Sequence, residues 1–314
     1  MAAALPPCIE LPVAMTARTQ RPGAAHRGFF YALAGVVAVS ANFVVMKYAL
    51  RGFGPETFSL VITSAAAFWS LAMAIGRSHG RQLWIPRVAV GRVTLMGVIL
   101  GIGMVLDCAS LAILDPSFSA FLWRFAPVLT IALGAIVLRE RLSAGELAPA
   151  ALMILGGAVS AIGRWQIVGL GVLLTLLSCL AVAVQMLLTK MLVAEIESDA
   201  LVFYGNAIGA MAIALWLALF GRIDLAAAAP YWLATLLSAF LGPCLSLLLY
   251  TLACRHWDLS HAAVVRATEP LFVLPMAYFA LHQLPAPREL LGGALILAGA
   301  LWLGWMQLSA GRET

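Results

Sequence analysis

The chain has 314 residues, of which 63% are hydrophobic and 11% charged, with a mean hydropathy of +0.99. A soluble domain carries about 25% charged residues, so this chain cannot cover a water-facing surface and belongs in lipid. Its net charge of +5 and pI near 9.2 do not argue for nucleic acid, because the basic residues form no patch interleaved with aromatics.

Residues 1–27 have no apolar stretch ahead of a cleavage site, which points to a disordered cytoplasmic tail rather than a signal peptide; Met15 is a second candidate start. A helix needs about 20 mainly apolar residues to cross the hydrocarbon core. Ten runs meet this, near 29–49, 57–76, 93–114, 117–138, 145–163, 167–189, 200–220, 230–253, 260–281 and 289–308. Residues 309–314 form a second short tail. The runs are continuous and rich in Leu, Ala and Gly, whereas a membrane β-barrel needs alternating segments of about 10 residues. Cys8, Cys108, Cys179, Cys244 and Cys254 form no CxxC and read as small packing residues, with no metal site.

With the N-terminus inside, cytoplasmic segments hold twelve of the 19 Lys and Arg and external segments five, leaving Arg124 and Arg266 within spans. Positive residues favour the inside, so both termini are expected in the cytoplasm of a multi-pass inner (plasma) membrane protein. The bias comes mostly from the first half.

The stretch Ser117–Gly156 returns as Ser260–Gly299, a shift of 143 (260 − 117). Ser117 then meets Ser260, Pro127 meets Pro270, Glu146 meets Glu289 and Gly156 meets Gly299. The same shift puts Asn42 on Gln185, Lys47 on Lys190 and Glu56 on Asp199. One register over most of the chain indicates an internal duplication, with units 28–163 and 164–308. Five spans is an odd number, so the second unit crosses upside down, an arrangement that recurs in secondary transporters. The fold expected is all-α, ten transmembrane helices as two inverted-topology repeats of five.

Asn42 and Lys47 in SANFVVMKYAL, with the order Pro127, Arg139 to Ser143, Gly156-Gly157, resemble the EamA branch of the drug/metabolite transporter superfamily over about residues 28–307. The second unit departs from the pattern, with Gln283 in the place of Glu140 and Pro285 in that of Leu142. The resemblance implies a ten-helix carrier with a central cavity, driven by a gradient without ATP. No GxxxxGK[ST] loop is present, in agreement. The function expected is secondary active export of a small metabolite by alternating access, coupled to protons or not. Alternatives are a membrane-embedded enzyme acting on lipid and a non-transporting scaffold. No cofactor and no nucleic acid are expected; the chain is a monomer or a homodimer.

Charge inside a span is costly, so it faces a cavity or a partner. Asp107 and Arg124 lie at similar depths on neighbouring spans and are expected to form a structural ion pair. Arg266 and Glu269 are three apart on one helix, either a substrate or proton site or a self-neutralised pair. Pro270 denies the Arg266 carbonyl its helical donor, as Pro127 does for Trp123, and both read as hinges. Lys47 and Lys190 either snorkel to the headgroups or face a cavity. Asn42 and Gln185 hydrogen-bond either substrate or a helix neighbour. Gly97 and Gly101 form a GxxxG expected to serve the bundle or a dimer.

Overall fold

The computed structural model describes residues 22–78, 83–126, 129, 133, 144–161, 165–193, 195–221, 223–256, 265–266, 268–282 and 286–310. The expected hinge at Pro127, the charged elbow at Arg139, Glu140 and Arg141, and most of the N-terminal tail lie outside them.

The first half forms α1 (Pro22–Ala49), α2 (Pro55–Ser78), α3 (Val90–Ile113), α4 (Pro116–Leu122) and α5 (Ala144–Ala161). The second forms α6 (Trp165–Leu192), α7 (Ser198–Phe220), α8 (Ala229–Ala239), a π-helical turn at Phe240–Ser246, α9 (Leu247–His256), α10 (Glu269–Leu281) and α11 (Pro287–Ala310). Proline opens α1, α2, α4 and α11. At a first helical position its missing N–H is one the helix never satisfies. α1 starts at Pro22, inside the stretch expected to be tail.

Shifted by 143, the bounds of α1 (22 and 49) become 165 and 192, those of α6. The starts of α2 and α5 (55 and 144) become 198 and 287, the starts of α7 and α11. The sequence register is therefore also a register of helix boundaries.

Six described helices are long and apolar enough to cross a membrane: Gly28–Ala49, Pro55–Gly76, Arg87–Ile113, Gly169–Thr189, Ser198–Phe220 and Ala229–Ala253. The runs at 117–138 and 260–281 are not continuous helices among the described residues: α4 stops at Leu122 and α10 starts at Glu269. A proline inside a helix removes one donor and crowds the carbonyl four residues back, and Pro270 is accommodated by restarting the helix around it.

Large apolar side chains point outward, Phe220 at 78% exposure and Trp305 at 71%, as a lipid surround requires. In lipid, helix association rests on close packing by small residues. A Cβ on Gly101 of α3 would lie 2.8 Å from the Gly209 carbonyl of α7, so the GxxxG at Gly97 and Gly101 meets a second one at Gly205 and Gly209 inside the bundle. On α5 and α11 a Cβ at Gly156 would lie 2.6 Å from the Gly292 carbonyl, and one at Gly299 2.8 Å from the Pro149 carbonyl. These two contacts exchange under the shift of 143 (156 to 299, 149 to 292). Such reciprocity is the mark of a two-fold relation.

Candidate functional site

α4 ends in a tightened turn: the Arg124 N–H donates to the Phe121 carbonyl at 3.0 Å and the Ala126 N–H to the Trp123 carbonyl at 3.1 Å. The Ala120 carbonyl thus loses its helical donor. Arg124 covers it with its own side chain, Nε donating at 3.2 Å.

The second break lies in the equivalent region of the other half. Thr268 N–H donates to the Val265 carbonyl at 3.1 Å and Leu271 N–H to the Thr268 carbonyl at 3.0 Å. Arg266 is left with a carbonyl whose donor would be the N–H that Pro270 lacks. Arg124 Nη1 donates to that carbonyl across 142 residues of chain. Its Nη2 donates to Glu269 Oε2 at 2.7 Å. Arg124 is 2% exposed and Glu269 1%, so one guanidinium closes both breaks in a buried setting. Glu269 sits in the first turn of α10, where a negative charge is favoured by the helix dipole. Ser40 of α1 donates to the Glu269 backbone carbonyl at 3.3 Å. Glu269 Oε1 has no hydrogen-bond partner among the described residues.

Two expected pairings are corrected. Arg124 pairs with Glu269 rather than Asp107, whose Oδ1 accepts from Trp123 Nε1 at 2.9 Å. The two segments do meet, but successive residues on a helix point about 100° apart, so Trp123 meets Asp107 and its neighbour faces the other half. Nor does Arg266 pair with Glu269. The i, i+3 geometry needs a continuous helix, and the break at Thr268 intervenes. The Arg266 guanidinium instead lies over the Tyr250 ring, 4.9 Å from its centroid.

Lys47 is a cap. Its Nζ donates to the carbonyls of Leu111, Ala112 and Leu114 at 2.6, 3.1 and 2.8 Å, the carbonyl end of α3, where a cation is favoured. The Lys190 side chain lies outside the described residues. Asn42 is held by the second half: Ser238 Oγ bonds its Oδ1 at 2.6 Å, and its amide packs on Gly242, where no Cβ would fit. Its repeat mate Gln185 is half-buried, with no side-chain hydrogen bond among the described residues. Sequence reasoning missed Asn206, which is fully buried and donates to the carbonyls of Val202 at 2.9 Å and Pro243 at 3.2 Å. An asparagine in a 23-residue apolar helix, facing a run interrupted by Gly242-Pro243, was the available signal. Cys108, Cys179 and Cys244 are buried free thiols.

Beside the Arg124–Glu269 pair a cleft opens between α1 and the second half, lined by Ala32, Gly35, Val36 and Val39 on one side and Ser246, Tyr250 and Arg266 on the other.

The EamA-like transporter family model matches residues 26–162 and again 169–305. The chain belongs to that family. The two matched segments are themselves 143 apart (169 − 26 and 305 − 162). This EamA chain is thus a helical, multi-pass membrane protein of a transporter family in the drug/metabolite superfamily. No curated protein matches it significantly. A solved structure described as "Crystal structure of protein" is similar in fold, with a TM-score of 0.64 at 17% identity, covering 94% of this chain and 100% of its own.

Proposed function

We propose that this chain is a secondary active transporter that exports a small metabolite across the inner membrane by alternating access. Its ten spans form two inverted repeats of five, with both termini in the cytoplasm. The reciprocal contact of Gly156 and Gly299 supports a two-fold relation between the halves, and five spans per half would then make the second inverted. Two like halves in opposite orientations reach outward-open and inward-open states of similar energy by exchanging conformations.

The observation that carries the reading is the buried pair Arg124–Glu269, which joins the break of one half to the break of the other. Opening a path between the halves must separate these charges. Leaving one partner of a buried pair uncompensated costs about 3–5 kcal/mol. A proton on Glu269 removes that cost on the acidic side, and Oε1 is the oxygen open to receive it. Arg124 then keeps the Ala120 carbonyl of its own half. We assign Asp107, Asn42 and Lys47 to holding this geometry, and keep Gln185 as a contact for solute on α6.

The test is counterflow and gradient-driven uptake in proteoliposomes. Glu269→Gln is expected to abolish uphill transport while substrate exchange continues, since exchange needs the alternating motion but no net proton release. Undiminished uphill transport in that variant would remove the coupling role. For topology, reporters at His79 and Arg312 should read cytoplasmic and one at Asp224 external. A cytoplasmic Asp224 would remove the inverted repeat.

A further inference from the structure

We infer that the cleft between α1 and α9 is an anion-binding site in which Arg266 grips the carboxylate or phosphate group of the transported solute. This names the substrate class and rests on the transport reading above. Glu269 is only three residues from Arg266 in sequence, but the break at Thr268 turns it away and its carboxylate is held by Arg124 of the other half. No carboxylate forms an ion pair with Arg266 among the described residues. An intramembrane cation without a counter-ion is a functional site by default. The Tyr250 ring, 4.9 Å from the guanidinium carbon, stabilises the charge through its face while leaving the N–H fork free for a planar or tetrahedral anion.

The rest of the cleft sets the shape of the ligand. Ser246 donates its proton to the Gly35 carbonyl at 3.0 Å, so its hydroxyl is committed and the strong donor in the cleft is Arg266. Ala32, Val36 and Val39 line the opposite wall. With the halves together the cleft has room for only about one water, about 10 Å³, so an acidic head group reaches Arg266 as its walls part. The site also touches the ion pair directly, because Arg124 holds the backbone carbonyl of Arg266 itself. An anion that pulls on the Arg266 side chain therefore pulls on the segment that closes the two halves.

The experiment is thermal unfolding of the purified full chain in neutral detergent. The probes are isovalerate, its uncharged analogue isovaleramide, inorganic phosphate, and short-chain phosphatidylglycerol. Isovalerate or phosphate should raise the Tm of the wild type, and isovaleramide should not. In Arg266→Gln the concentration giving half the shift should rise about tenfold or more, the loss expected for a charge-assisted hydrogen bond. Arg266→Lys, which keeps the charge and loses the fork, should fall between and serves if the glutamine variant does not fold. Tyr250→Leu should weaken binding less. Equal responses from isovalerate and isovaleramide, or from wild type and both Arg266 variants, overturn the site, as does silence to both free anions. A response to phosphatidylglycerol alone makes it a lipid contact and overturns it as a solute site. Anion binding through Arg266 with no counterflow would leave the site standing and defeat the transport reading. Transport of a solute that Arg266→Gln leaves unchanged would do the reverse.

Discussion

At the end of α4, Arg124 covers the orphaned Ala120 carbonyl from within its own half. At the start of α10, the carbonyl orphaned by Pro270 belongs to Arg266, yet Arg266 does not cover it; the donor comes from Arg124 in the other half. The two breaks share a backbone defect, but dependence between them runs one way. The first is self-capped, and the second is complete only when the halves meet. A duplicated fold has in this way acquired a contact that joins its halves. The Arg266 side chain, relieved of capping, is left to the cleft.

The largest effect should come from Arg124. Arg124→Gln leaves the Glu269 carboxylate and the Arg266 carbonyl unpaired at once, and should destabilise the fold by about 3–5 kcal/mol. Adding Glu269→Gln should restore most of the folded yield. Arg266→Gln alone should change stability by less than about 1 kcal/mol, since it removes a half-exposed side chain and leaves its carbonyl held. Unfolding in detergent reads all three. If Arg124→Gln and Arg266→Gln weaken the fold equally, the dependence between the breaks is mutual.

The two halves are alike where their last helices meet, at Gly156 and Gly299. Gly156→Val and Gly299→Val each push a side chain into the partner helix's backbone. Each should cost about 3 kcal/mol, the upper range for overpacking, and by about the same amount if the two-fold relation holds. Gly91→Ala, where an added Cβ meets nothing within 4 Å, is the control. Unequal losses at 156 and 299 would mean that the shift of 143 relates sequences but not packing.

Much of this was legible in the residues. Continuous apolar runs marked the six long spanning helices, and the shift of 143 read from the residues recurs in helix bounds such as 22 and 49 against 165 and 192. The orphaned Arg266 carbonyl could be foreseen because proline's missing donor is a local fact. Partner choice could not. Pairing Arg266 with Glu269 assumed an unbroken helix, while the same proline that frees the carbonyl ends the geometry that would pair the charges. Pairing Asp107 with Arg124 used depth alone, and depth does not fix the direction in which a side chain leaves its helix. Lys47 shows the same limit: its position near a span end suits snorkelling and capping equally, and only tertiary packing brings the α3 carbonyls to it. Lys47→Met should therefore cost about 2 kcal/mol through three carbonyls left without their donor. A loss equally relieved in Lys47→Arg would fit a charge requirement at that end; a loss that persists would fit the compact ammonium that three converging carbonyls need.

The smallest expected change in stability is the one that would make the second half more like the first. The π turn at Phe240–Ser246 corresponds to residues 97–103 (240 − 143 and 246 − 143), which lie in the regular helix α3. π turns of this kind occur frequently at functional sites. Pro243 lies inside it and cannot donate, and its ring would crowd the Ala239 carbonyl of a regular helix. Asn206 holds the Pro243 carbonyl from α7, and Asn42 packs on Gly242 from α1, so two amides grip the turn from opposite sides. Pro243→Ala restores a donor and removes the clash, while drawing the carbonyl away from Asn206. These effects oppose each other, and the net change should stay below about 1 kcal/mol. Transport should respond more: Ser246 ends the turn, Tyr250 follows it, and both line the cleft, so straightening it moves one wall. Gly242→Ala is the contrast, because its Cβ drives into the Asn42 amide and should cost about 1–3 kcal/mol. If the proline variant transports normally at unchanged stability, the turn is imposed by the two amides and Pro243 merely tolerates it; if turnover falls while unfolding is unchanged, the proline keeps the second half poised in a shape that the first half never adopts.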